Sequence, residues 1–151
     1  MKNFFDGLAL VVVAAWVGGL WAIGYLAAPV LFHVLNDNRQ LAGNLAGEMF
    51  TWVAWLSMVS GVFLLVHRVG KFGTGVVKQS FFWAVLVMLL LALIGQFGIQ
   101  PIIASLKAQA LPADVMHSVF RDRFAAWHGV ASIAYLVESL LGLVLILKVR
   151  S

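Results

Sequence analysis

The sequence contains no cysteine. Disulfide bridges, thiolate metal sites and thiol nucleophiles are therefore excluded. Charge is nearly as scarce. Asp, Glu, Lys and Arg make up 11% of the 151 residues, where a soluble domain carries about 25%. Only six residues are acidic, and no pair of carboxylates shares a helix face for acid–base work. There is no HExxH, no Gly-rich phosphate loop leading into a helix and no nucleophile elbow. The basic residues form no stripe and have no aromatic platform beside them, which removes a nucleic-acid role.

What is present is long apolar runs. Hydrophobic residues account for 63% of the chain, which makes it a polytopic membrane protein with room for one membrane domain and no sizeable soluble one. Four helical spans are predicted at about 5–35, 39–66, 79–103 and 125–147, each long enough for the roughly 20 residues that cross a bilayer. The expected fold is all-α, a four-helix bundle spanning 1–151 as a single domain. The first run, Leu8 to Phe32, is longer than the ~7–15 apolar residues of a signal peptide and follows only one basic residue, Lys2. It reads as a retained span.

His67, Arg68, Lys71 and Lys78 fall in a Gly-rich link between spans two and three, the most basic of the connections. By the positive-inside rule that link is cytoplasmic, as are both termini. Span one carries small residues four apart, Ala14, Gly18 and Ala22, and also Ala15 and Gly19, a spacing that lets helix backbones approach closely in lipid. Pro29 is expected to bend its outer end. Pro29 and Pro101 stand near the outer ends of spans one and three, so the two helical hairpins are expected to be related. Asn36 to Asn38 form a turn able to cap the next helix. Met116, Phe120, Phe124 and Trp127 recur at helical spacing and predict an amphipathic section over about 112–124, leading into span four.

This topology gathers His33, Glu48, Gln96, Gln100 and His128 in the outer half. Two imidazoles and a carboxylate there suit a metal or proton site, with His33 and His128 as the metal ligands. A plainer reading stands beside it. His33 serves as an interfacial side chain, His128 as an interhelical hydrogen bonder, and Glu48 as a partner of a helix dipole. The scattered methionines are core filling.

Glu138 is the sharpest residue. It lies about ten residues inside span four, near the middle of a hydrocarbon slab roughly 30 Å thick. It sits at the edge of a small, polar helix face formed by His128, Ala131, Ser132, Tyr135, Ser139 and Gly142. A carboxyl group there is neutral, paired or functional. Tyr135, Ser139, Ser57 and Ser60 are its expected partners. A structural hydrogen bond and a proton or ligand role both remain open.

The stretch RFAAWHGVAS at 123–132 resembles the start of the last helix in the transmembrane protein 205-like family. QPIIASL at 100–106 is similar to that family's Pro-containing exit from helix three. GYLAAPVLFHVL, followed by a segment ending in GEMF, is similar to its first-helix exit. The resemblance implies a four-helix membrane protein and picks out Pro101, His128 and Gly129. The family commonly has Asn a turn or two after the His-Gly pair, where this chain has Ala134 and Tyr135. More distantly, the layout is similar to copper-resistance D membrane proteins and to small haem-dependent protoporphyrinogen oxidases. The latter need histidines deep in helices, whereas these lie near helix ends.

The expected function is an accessory or small-solute/metal-handling role in a bacterial-type inner membrane, through the polar cluster of His33, Glu48, Gln100, His128 and Glu138. The alternatives are a redox enzyme with haem or a metal ion as cofactor, and a structural subunit of a larger membrane complex. The partners expected are the lipid bilayer and a second copy or another membrane protein.

Overall fold

The computed structural model describes residues 2–109 and 119–150. Helix α1, Lys2–Trp21, widens into a π-helical turn at Ala22–Ala27 and resumes as α2, Ala28–Val34. The cause is Pro29. Proline has no N–H, and its ring crowds the carbonyl of the residue four before it. The ladder therefore shifts, and the Ala28 N–H reaches the Ile23 carbonyl, five residues back. Span three repeats the device. Helix α4, Ser80–Ile94, widens at Gly95–Ile99 and continues as α5, Gln100–Gln109, with the Gln100 N–H on the Gly95 carbonyl just before Pro101.

Between them, α3 runs Arg39–Phe72. Its start is capped by Asn38, whose side chain accepts from the Leu41 N–H at 3.0 Å. Its end corrects the sequence reading. The helix does not stop at Val66 but continues through His67, Arg68 and Lys71, with tight 3₁₀ turns at Gly73–Lys78. Tertiary partners hold this extension. His67 and Lys71 reach Asp6 of α1 at 3.1 and 2.7 Å, while Arg68 turns inward. Gly73, at φ 55°, stops the helix in a conformation that suits glycine.

Helix α6 spans Val119–Lys148. Residues 119–124 of the expected amphipathic section are its first turns, and 112–118 lie outside the described residues. Four helical stretches are long and apolar enough to cross a membrane: Phe4–Val34, Arg39–Lys78, Ser80–Ala108 and Asp122–Lys148. The protein is an all-α, multi-pass membrane bundle. Helix α1 packs on α3 and α6, and α4 packs on α3 and α6. The spans therefore go round in chain order, the arrangement of an up-down bundle.

Trp16, Leu20, Leu64, Phe81, Val85, Met88 and Leu145 are buried and fill the core. Val59, Leu90, Ile133 and Leu140 turn outward, as lipid requires. The small residues of span one divide. Gly19 lies against Leu56 of α3, whereas Ala14, Gly18 and Ala22 are exposed. Span four comes close to span one at Gly142, where a Cβ would stand 2.9 Å from a Val17 methyl.

Candidate functional site

Lys71, Lys78 and Lys148 mark one end of the bundle, here the basic end. Arg68 is buried there. Its Nη2 donates to the carbonyls of Lys148 and Val149, both at 2.9 Å, and its Nη1 to Gln79 Oε1 at 3.2 Å. The guanidinium lies 4.1 Å from the centre of the Phe81 ring. Arg68 thus ties spans two, three and four together and caps the last carbonyls of α6. Sequence reasoning assigned it only to topology.

Deeper in the bundle, polar groups link the helices. Trp16 donates its indole N–H to Ser57 Oγ at 2.7 Å, and Ser57 donates to the Val53 carbonyl at 2.8 Å. Tyr25, within the π turn of span one, donates to Ser139 Oγ at 2.9 Å. Tyr135 donates to the Leu20 carbonyl, and its ring occupies the space where a side chain at Gly24 would be. Phe50 meets Tyr135 edge to face, with ring centres 5.3 Å apart. These bonds tie the middle of span four to span one at the wide turn.

Glu138 lies among them. It is 7% exposed, and its Oε1 is buried with no hydrogen-bond partner. The partners expected for it are engaged elsewhere. Tyr135 binds the Leu20 carbonyl, Ser139 accepts from Tyr25, and Ser57 is shared between Trp16 and Val53. No hydrogen bond joins Ser60 to Glu138 among the described residues. Buried polar atoms are nearly always hydrogen-bonded, so an orphan carboxyl oxygen in an apolar bundle makes Glu138 a candidate functional group. Such a group can hold a proton or meet an incoming donor or cation.

The residues expected at the far end are placed differently. His33, Glu48, His128 and Pro101 are exposed, and Gln100 and Gly129 are half-buried. The His128 ring stacks on Phe124, with centres 5.9 Å apart. No hydrogen bond or ion pair joins His33, Glu48, Gln100 and His128 to one another among the described residues. Nor do the described residues hold any group of three or more His, Asp or Glu side chains able to bind a metal ion. His117 lies outside the described residues.

Open grooves mark the surface of the bundle, and two are described among these residues. One, of about 270 Å³, is an open apolar groove on span one, bordered by Val13, Ala14, Gly18 and Ile146. The other, of about 220 Å³, lies at the basic end beside Lys78, Gln79 and Phe81. Neither includes Glu138.

The model of a protein family described as a domain of unknown function, DUF4149, matches residues 11–112. The chain belongs to the DUF4149 family. The matched segment takes in most of spans one to three, with Trp16, Tyr25 and Ser57, and ends before span four supplies Tyr135, Glu138 and Ser139. No curated protein and no solved structure matches this DUF4149 chain.

Proposed function

We propose that this protein handles a small solute or ion within the membrane, in an accessory and non-enzymatic role, and that Glu138 is the group that binds it. One observation carries the reading: a carboxyl oxygen buried in a transmembrane bundle without a partner. Ionisable residues at such depth are costly and mark pathways or ligand sites. The likeness to the transmembrane protein 205-like and copper-resistance D proteins belongs to the same reading, as does a place in the bacterial inner membrane with the basic end in the cytoplasm. The test is flux of protons and small cations into proteoliposomes under an imposed gradient. Glu138→Gln is expected to lower the flux about tenfold or more, on the scale of losing one or two good polar contacts. Wild-type flux in that variant would overturn the reading.

At the far end, His33 and His128 are proposed as metal ligands. Their shared end of the bundle supports this. Metal content in His33→Ala and His128→Ala tests it, and unchanged content removes it. A haem or metal redox role has less behind it, because both of these histidines are exposed and His67 is held by Asp6. A structural role beside another membrane protein or a second copy draws support from the exposed Ala14, Gly18 and Ala22. Cysteine cross-linking at Gly18 in native membranes tests that role.

A further inference from the structure

We infer that the ligand of Glu138 is a proton, exchanged when two tyrosine latches between spans one and four release. The inference rests on the reading of Glu138 as the binding group and goes on to name what it binds.

Size is the first argument. Glu138 is 93% buried, since its relative exposure is 7%, and it borders neither of the two grooves described above. A metal ion needs several oxygen ligands around it. The nearby hydroxyls of Tyr25 and Tyr135 donate to other acceptors, Ser139 accepts from Tyr25, and none of them bonds the buried carboxyl oxygen. A proton needs one lone pair and no cavity.

Charge is the second. The titratable groups around the site are Tyr25 from span one and Tyr135 from its own helix. Spans two and three bring no charged side chain into the middle of the bundle. Glu48 and Lys107 belong to the far end, and Arg68 is occupied at the basic end. Among the described residues no cation stands there to hold a carboxylate, and a bare carboxylate is costly to bury.

The latches are the third. The Tyr135 hydroxyl binds the Leu20 carbonyl, immediately before the π turn, and its ring fits only because residue 24 is glycine. Tyr25 lies inside that turn and binds Ser139, the neighbour of Glu138, at 2.9 Å. One latch starts inside the wide turn of span one and the other ends on the helix just before it, and both reach the Glu138 face of span four. π turns of this kind recur at functional sites because their backbone bonding is irregular. When the two helices part there, water enters. The carboxyl O–H bond breaks, the proton passes to that water, and the carboxylate takes a proton from water before the helices close again.

The test is infrared spectroscopy of the detergent-purified full chain. A carbonyl band of a protonated carboxyl group is expected in the wild type and is lost in Glu138→Gln. Glu138→Asp keeps an acid at the site should the Gln variant fail to fold, and its band is expected to shift. On transfer to deuterated water, the band is expected to exchange about tenfold faster in Tyr25→Phe and Tyr135→Phe, each of which lacks one latch hydrogen bond. Absence of any band that depends on residue 138 would overturn the proton assignment. An exchange rate unchanged in the double Phe variant would overturn the latches. Glu138-dependent cation flux without the band would sink this inference alone. The band without flux would sink only the transport reading.

Discussion

Replacing Glu138 with methionine separates a structural carboxyl group from a functional one. A structural carboxyl would hold a hydrogen bond, and its removal would weaken the bundle. Here Oε1 is buried without a partner, so the wild type bears an unmet polar group worth about 1–3 kcal/mol. Methionine is unbranched, of similar length and flexible enough to fill the same space. Glu138→Met is therefore expected to stabilise the protein by about 1–3 kcal/mol, roughly 5- to 150-fold in the ratio of folded to unfolded chain. Gln, whose amide places two N–H donors in the same apolar surroundings, is expected to be less stable than Met. The assay is an SDS unfolding titration in mixed micelles, followed by tryptophan fluorescence, to which the fully buried Trp16 contributes. Destabilisation of the Met variant by more than about 1 kcal/mol, the worth of one ordinary hydrogen bond, would refute the reasoning. Glu138 would then be a strut and not a site.

Other substitutions probe the supports of the site. Gly24→Ala places a methyl group in the Tyr135 ring and is expected to destabilise the protein by about 1–3 kcal/mol. Tyr135→Ala should relieve much of that strain, so the double-mutant cycle is expected to show coupling above about 0.5 kcal/mol. Arg68→Lys keeps the charge that sets topology but loses the fork that reaches the Lys148 and Val149 carbonyls. It is expected to cost about 1.5–3 kcal/mol and to make the C-terminal end of α6 more sensitive to protease, with orientation in the membrane unchanged.

The four spans were legible because runs of Leu, Val and Ile of that length have few other fates. Glu138 was legible for the same reason, as a lone carboxyl deep in such a run. Its lack of a partner was not. Tyr135 and Ser139 are close to it along the helix and Ser57 was expected across the bundle, and only packing decides that the Leu20 carbonyl, Tyr25 and Trp16 are the groups they bond. The continuation of α3 through Lys71 was hidden for a similar reason. Gly70 and Gly73 read as a loop, and the contacts that hold the helix come from Asp6, more than 60 residues away. Pro29 announced a disturbance of span one but not its form. The matching turn before Pro101 shows that the form is a wide turn rather than a break. His33 and His128 were placed at one end by topology alone, and topology does not determine whether two side chains meet.

An extra residue in a helical turn has a geometric consequence. It rotates everything beyond it by about 100° relative to an uninterrupted helix. α2 and α5 are thus re-aimed against the segments that precede them, by the same device in both hairpins. The tips carrying His33 on one and Lys107 on the other therefore present different faces to their neighbours than straight helices would, and both stay packed there, with Ala28, Ile103 and Leu106 buried and Lys107 on the Gly43 carbonyl.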